Sequence, residues 1–160
     1  MKVLVCDDED NIRKLLKRLL NLEGIDADCA ENGLSAQRMI ASERYDAIVA
    51  DLRMPGLDGL GLLRWIRAEG FRVPVIMISA HGDINDAVTA LKDGADDYLV
   101  KPFDPDELLI KLKGLVKAQN LMNAAEGEKK SSGFLGASSS AEQIRRIIER
   151  IAPSSATVLI

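Results

Sequence analysis

Two hydrophobic periodicities alternate five times along the first 103 residues of the chain. Each apolar run of strand length is followed by a segment with the 3.6-residue spacing of an amphipathic helix. Such alternation predicts a parallel sheet covered by helices on both faces, with right-handed crossovers. The strands are predicted at 2–6, 25–30, 46–50, 73–78 and 97–100, and the helices at 12–22, 34–43, 58–69, 83–92 and from 104 to about 122.

Composition excludes several classes of function. The net charge of −4 over 160 residues argues against a general binder of nucleic acid, which needs a basic surface. No apolar run approaches the roughly 20 residues that span a bilayer, and the amino terminus becomes acidic too early for a signal peptide. Cys6, Cys29 and His81 are too few for the usual zinc sites. We therefore expect a cytoplasmic protein with reduced thiols.

Polar side chains follow four of the five predicted strands. Asp7 and Asp8 end the first, Asp51 the third, Ser79 the fourth and Lys101 the fifth. Because the carboxyl ends of parallel strands meet at one edge, we expect these groups to share a cleft. Crowded carboxylates favour a hard cation such as magnesium, and an aspartate can attack phosphorus to form an acyl phosphate. A lysine and a hydroxyl can hold the phosphoryl oxygens.

Four motifs carry a resemblance to a known family. They are VLVCDDED, VADLRMPGLDGLGLL, VPVIMISAHGD and GADDYLVKPF, in this order. The chain resembles the receiver domain of bacterial two-component response regulators over residues 1–120. The resemblance implies an α/β, flavodoxin-like fold: a five-stranded doubly wound sheet of order 2-1-3-4-5.

The resemblance also implies a chemical role for each residue at the sheet edge. Asp51 would accept phosphate from a phosphohistidine of a sensor histidine kinase, with Lys101 contacting the phosphoryl group. Magnesium, or alternatively manganese, would be held by Asp7, Asp8, Asp51 and the backbone carbonyl of Arg53.

Two further features follow from the same resemblance. Ser79 and Tyr98 would form the switch that reports phosphorylation, although Tyr98 could also be a plain edge-strand aromatic. The Lys101–Pro102 peptide bond would be cis, a form that proline makes accessible.

The remainder of the chain is divided by composition. Residues 124–133 are predicted to be a polar linker, and 134–160 contain a helix-like segment and a strand-like run. Residues 134–160 resemble the entry to the AAA+ ATPase domain of nitrogen-regulatory (NtrC-like) sigma-54-dependent transcription activators. The sequence holds no G-x-x-x-x-G-K-[ST] loop, so we do not expect this chain to hydrolyse ATP or to act as an enzyme beyond its own phosphorylation and dephosphorylation.

The fifth helix carries an apolar seam with heptad spacing. A helix that outruns its sheet needs a partner for such a seam, so we predict a homodimer. The seam consists of Leu108, Leu112, Leu115, Gln119 and Met122.

Two other functions remain open at this point. A haloacid-dehalogenase-like phosphatase also forms an aspartyl phosphate and would use the D-x-D pair Asp8 and Asp10. A stand-alone receiver would relay the phosphoryl signal to a partner protein rather than control its own ATPase output domain. We favour a phosphorylation-controlled activator, with its histidine kinase, its output domain and a second copy as partners, and without direct contact to nucleic acid or membrane.

Overall fold

A computed structural model describes the backbone of residues 1–131 and the side chains of residues 1–125. Five parallel strands lie in the order β2-β1-β3-β4-β5, which confirms the predicted fold class. Residues Met1–Met122 form a compact unit. In chain order the elements are β1 (Lys2–Cys6), α1 (Asp10–Leu22), β2 (Asp26–Ala30), α2 (Gly33–Ser42), β3 (Ala47–Asp51), α3 (Gly59–Ala68), β4 (Val75–Ser79), α4 (Ile84–Lys92), β5 (Asp97–Val100) and α5 (Pro105–Ser131).

The two central strands differ slightly from their predicted bounds. β3 includes Asp51 as its last residue, so the backbone of Asp51 belongs to the sheet rather than to the loop after it. β4 begins at Val75, two residues later than predicted. The reason is Pro74, which has no N–H for the ladder but whose carbonyl accepts a bond from Ile48 at 2.8 Å.

The sheet separates two hydrophobic clusters. Helices α2, α3 and α4 cover one face, whereas α1 and α5 cover the other. The inner strands β1, β3 and β4 therefore alternate their side chains between two buried layers, which explains why they are apolar on both faces, whereas the edge strands β2 and β5 are partly exposed. The largest fully buried side chains are Leu4, Leu20, Ile48, Leu62, Leu63, Ile66, Ile76, Met77, Ile78, Leu108, Leu112 and Val3.

Arg67 of α3 joins two loops at the amino edge of the sheet. Its guanidinium donates to the carbonyls of Phe71, Val73 and Gly94 at 2.9–3.0 Å. It also donates to Asp96 at 2.9 Å, and Asp96 in turn accepts the backbone N–H of Val75 at 2.8 Å. One side chain thus holds the loops that precede β4 and β5.

The predicted end of the fifth helix is wrong. α5 continues to Ser131, through most of the segment at 124–133 that was predicted to be a linker. That segment is polar, but its alanine, glutamate and lysine residues favour a helix. The segment at 134–160 lies outside the described residues. None of the helices within residues 1–131 combines the length and the hydropathy that a membrane span requires.

The predicted dimer seam is only partly available to a partner. Leu108 and Leu112 are fully buried in the cluster between α5 and the sheet, so their assignment to an interface is wrong. Leu115 packs against the same cluster. Met122 is 64% exposed and lies beyond this contact, as does the half-buried Gln119. Over two heptads, the spacing of a core-facing helix and that of a coiled coil are too similar to separate.

Candidate functional site

The predicted site residues lie at the carboxyl edge of the sheet, around its topological switch point. β1 pairs with β2 on one side and with β3 on the other, so the loops after β1 and β3 diverge and leave a crevice between them. Asp7 follows β1 and Asp51 ends β3, which places the two carboxylates on neighbouring strands. Both residues are almost completely buried, at 1% and 6% exposure.

Lys101 links these two carboxylates. Its Nζ atom lies 2.7 Å from Asp7 Oδ2 and 2.8 Å from Asp51 Oδ1. Burial alone would lower the pKa of Lys101, but its hydrogen bonds to Asp51 and Asp7 outweigh burial and hold that pKa above its ordinary value. The ammonium is therefore charged at neutral pH and balances part of the negative charge of the crevice. The Lys101–Pro102 peptide bond is cis, as predicted.

The second oxygen of each carboxylate is held by the backbone. Asp7 Oδ1 accepts the N–H of Glu9 at 2.9 Å, and Asp51 Oδ2 accepts the N–H of Arg53 at 2.8 Å. These bonds orient both side chains without using all of the roughly four lone-pair sites that a carboxylate offers. Each carboxylate can therefore accept a further electrophile or cation.

Ser79 and Tyr98 are connected through a group that the sequence did not indicate. The buried Ser79 hydroxyl donates to the backbone carbonyl of His81 at 2.9 Å and accepts the His81 N–H at 3.1 Å. The Tyr98 hydroxyl donates to the same carbonyl at 3.4 Å. His81 contributes its backbone here, and a backbone acceptor has no signature in residue type.

Asp8 lies at the exposed mouth of the crevice. The guanidinium of Arg13 on α1 donates to the carbonyls of Asp7 and Asp8 at 2.7 and 2.9 Å, which braces the turn after β1. Sequence reasoning missed this arginine. Its position one helical turn after Asp10 is the only signal, because it puts the side chain beside the acidic loop.

The donor set fits magnesium better than a metal that needs several protein ligands. Among the described residues, no group of three or more acidic, histidine or cysteine side chains is arranged to hold a metal ion. Magnesium keeps several waters and is typically bound by one or two carboxylates, together with phosphate oxygens. Asp7 and Asp51 supply two adjacent carboxylates, and Asp8 and the carbonyl of Arg53 lie in the flanking loops.

Comparison with known proteins gives one family. The model of the response regulator receiver domain matches residues 3–113. The regulatory protein AtoC of Escherichia coli is 38% identical over 120 residues, which cover 75% of this chain and 26% of AtoC. The response regulator MprA of Mycobacterium tuberculosis is 40% identical over 126 residues, which cover 79% of this chain and 55% of MprA. The chain thus spans about a quarter of one relative and just over half of the other.

Solved structures show the same similarity. The receiver domain of the Francisella response regulator 1452 has 42% identity and a TM-score of 0.71, over 74% of this chain and 98% of that one. NtrX from Brucella abortus has 35% identity and a TM-score of 0.76, over 96% of this chain and 35% of NtrX. Response regulator TrrA from Thermotoga maritima, solved in complex with Mg2+-BeF, has 39% identity and a TM-score of 0.66, over 71% of this chain and 97% of TrrA.

Proposed function

The chain belongs to the response regulator receiver domain family, and from this premise we propose that it is a switch operated by phosphorylation of Asp51. The observation that carries the proposal is the placement of Lys101 between the buried carboxylates of Asp7 and Asp51. The phosphoryl donor is a phosphohistidine of a sensor histidine kinase. Its phosphorus–nitrogen bond breaks as a phosphorus–oxygen bond to the Asp51 carboxylate forms.

Each residue of the crevice has a part in this transfer. Asp51 is the nucleophile, oriented by the N–H of Arg53. The charged Nζ atom of Lys101 moves from the unphosphorylated Asp51 carboxylate to the incoming phosphoryl oxygens. The charge-assisted hydrogen bond formed there stabilises the product. Asp8, Asp51 and the Arg53 carbonyl are the residues that would hold magnesium, with Asp7 acting partly through water. The chemistry that this ion supplies is neutralisation of the charge on the phosphoryl oxygens.

The readout of phosphorylation runs through Ser79. A phosphoryl group on Asp51 offers the Ser79 hydroxyl a charged acceptor in place of the His81 carbonyl. When that hydroxyl moves, the loop after β4 loses one of its hydrogen bonds and Tyr98 can turn inward. The new contact shifts the population between two arrangements of α4 and β5.

The output is proposed to be transcription activation by a sigma-54-dependent ATPase domain. The support is the resemblance of 134–160 to the entry of that domain, together with a match to NtrX that covers 96% of this chain. In this proposal a homodimer, formed through the end of α5, links phosphorylation to the assembly of the ATPase. A stand-alone phosphorelay receiver is the alternative function for the same site.

The aspartyl-phosphate phosphatase is less well supported. It requires the carboxylates of Asp8 and Asp10 to act together in one site. Asp10 instead begins α1, where its exposed carboxylate forms ion pairs with Lys14 at 2.6 Å and Arg13 at 3.2 Å. The ion pairs hold Asp10 on the helix surface, outside the crevice that contains Asp51.

Mass spectrometry tests the proposed function. Incubation with acetyl phosphate and magnesium should add the mass of one phosphoryl group to the wild type and to Asp26→Asn, a control at the opposite edge of the sheet. Asp51→Asn should gain no mass. Undiminished labelling of Asp51→Asn would overturn the assignment, and steady hydrolysis of simple phosphomonoesters would favour the phosphatase.

A further inference from the structure

Helices α2 and α3 approach the end of β3 and the loop at 52–58 closely at positions where the helix residue is glycine. Gly59, the first residue of α3, lies against the backbone of Asp51. A Cβ atom built on Gly59 would overlap the Asp51 carbonyl oxygen and lie 2.8 Å from Met77 Cε. Since a backbone oxygen cannot move aside as a flexible side chain can, only glycine permits this approach. The backbone of α3 is therefore in direct contact with the backbone of β3 at Asp51, the proposed site of phosphorylation.

A second contact holds the middle of the same loop. Gly33, the first residue of α2, is buried against Leu57, and a Cβ atom there would overlap the Leu57 carbonyl oxygen. It would also lie 2.9 Å from both Cβ and Cγ of Leu57. On the other side, a Cβ atom on Gly61 of α3 would lie 2.7 Å from Leu57 Cδ1. Leu57 is thus enclosed between α2 and α3.

The α2 side of this enclosure is itself firmly placed. Asn32 caps the helix, since its Oδ1 atom accepts the N–H of Ser35 at 2.8 Å. Ala36 and Ile40, one and two turns further, are buried in the cluster beneath the sheet face. The start of α2 can therefore act as a fixed boundary for the loop, although α2 contributes none of the predicted site residues.

We propose that Gly33 is a positioning residue for the cation and phosphoryl site, because it allows α2 to fix the loop that carries Arg53. The inference rests on the proposed function. Four residues before Leu57, the Arg53 N–H orients Asp51, and the Arg53 carbonyl is a proposed ligand of the cation. A side chain at position 33 would displace Leu57, and the displacement would reach both Arg53 groups through the short loop.

The test measures the site separately from stability. Gly33→Ala is compared with Gly24→Ala, a control at a positive φ of 71° with no atom near its added Cβ. Both changes should lower the melting temperature. Gly33→Ala should weaken magnesium binding roughly tenfold, the size typical of a lost outer contact at a metal site, whereas Gly24→Ala should leave it unchanged. In metal-free protein, the Arg53 amide should shift and exchange faster in Gly33→Ala only.

The rate of labelling by acetyl phosphate, measured separately from the magnesium affinity, is a further readout. At saturating magnesium, the rate of labelling of Gly33→Ala by acetyl phosphate should rise but stay below that of the wild type, because the displaced Arg53 N–H no longer orients Asp51. Leu57→Ala serves if Gly33→Ala does not fold, because it empties the enclosure and should also weaken magnesium binding. Unchanged magnesium affinity and an unchanged Arg53 amide would overturn this inference alone. A wild type that binds no magnesium would overturn the proposed function and this inference with it.

Discussion

Ser79 and Tyr98 donate to one acceptor, since their hydroxyl oxygens lie 2.9 and 3.4 Å from the carbonyl oxygen of His81. Tyr98 is part of β5 and Ser79 ends β4, so two adjacent strands are connected to the first residues of the loop between β4 and α4. A change in the acceptor of Ser79 therefore alters the environment of Tyr98 directly. Substitutions that remove one of these two hydroxyl groups therefore test the proposed switch.

Removing the Ser79 hydroxyl should uncouple the conformational change in α4 from the phosphorylation of Asp51. Ser79→Ala should still be phosphorylated on Asp51, but its α4 amides should change less on phosphorylation than those of the wild type. The lost hydrogen bond should cost about 1 kcal/mol of unfolding free energy. Tyr98→Phe, which retains the ring, is the matched variant. An NMR response of Ser79→Ala equal to that of the wild type would contradict the coupling.

Lys101→Met should leave two buried carboxylates without their ammonium. We expect a loss of about 3 kcal/mol of unfolding free energy at pH 7, because an uncompensated buried charge is strongly destabilising. The folded-state pKa of Lys101 lies above its ordinary value of 10.5. The ammonium's contribution is therefore complete below that pH and is lost only as the pH rises through the folded-state value.

Urea unfolding from pH 7 to 11 checks this expectation. The difference in unfolding free energy between wild type and Lys101→Met should stay constant between pH 7 and 9 and should decrease at higher pH. Added magnesium should stabilise the variant more than the wild type, since a cation can take the place of the ammonium. If this difference in unfolding free energy grew above pH 10, the expected direction of its pH dependence would be wrong.

Neutralising Asp8 should weaken cation binding. Asp8 is exposed at the mouth of the crevice, so Asp8→Asn removes charge without disturbing the core. We expect the magnesium affinity to fall about tenfold, which corresponds to 1.4 kcal/mol. Asp26→Asn is the control, because Asp26 is an exposed carboxylate of the same charge at the opposite edge of the sheet. Calorimetric titration that gives one affinity for wild type and Asp8→Asn would refute the assignment of Asp8.

Arg53 should restrain α4 through its side chain. Its guanidinium forms an ion pair with Asp86 at 3.4 Å, whereas α4 buries only Ala90 completely and leaves Ile84 77% exposed. An exposed pair of this kind contributes about 0.2–1 kcal/mol. Arg53→Ala and Asp86→Ala should each speed amide exchange in α4 by a few-fold, and the double variant no further. Additive effects in this cycle would exclude the pair as a restraint.

The dimer interface can be tested at the exposed end of α5. Truncation after Gly114 would remove the buried Val116, so point substitution is the cleaner test. Met122→Glu should weaken the proposed dimer, since it places a charge in the apolar seam. Ile110→Glu, at a position 72% exposed on the same helix, should leave association unchanged. Sedimentation velocity over a range of concentrations would show which substitution acts.

The sequence predicted the fold and the sheet edge well because both depend on regular patterns. Alternating periodicities determine the element order, and parallel strands necessarily bring Asp7, Asp51 and Lys101 to one edge. The contacts of Arg13 and of the His81 carbonyl were missed because they use backbone acceptors, which any residue provides. The Gly33–Leu57 contact depends on how two helices approach each other, and no local pattern encodes that distance.

The fifth helix illustrates the opposite failure. Its polar end was predicted to be a linker because polarity outweighed the helical preference of alanine, glutamate and lysine. Leu108 and Leu112 were assigned to an interface because only the surrounding fold distinguishes a buried stripe from a coiled-coil seam.

The bonds of Arg67 have a consequence for how this domain could diverge. They secure the loops before β4 and β5 at the edge farthest from Asp51. The loops after these strands carry His81 and Pro102, and their sequences can change while the strands keep their registration. Gene duplicates could therefore acquire different partners by exchanging the exposed side chains at 80–82, whereas Asp83 and Pro102 retain the cap of α4 and the cis peptide bond. The inherited anchor would maintain the scaffold as the recognition surfaces drift apart.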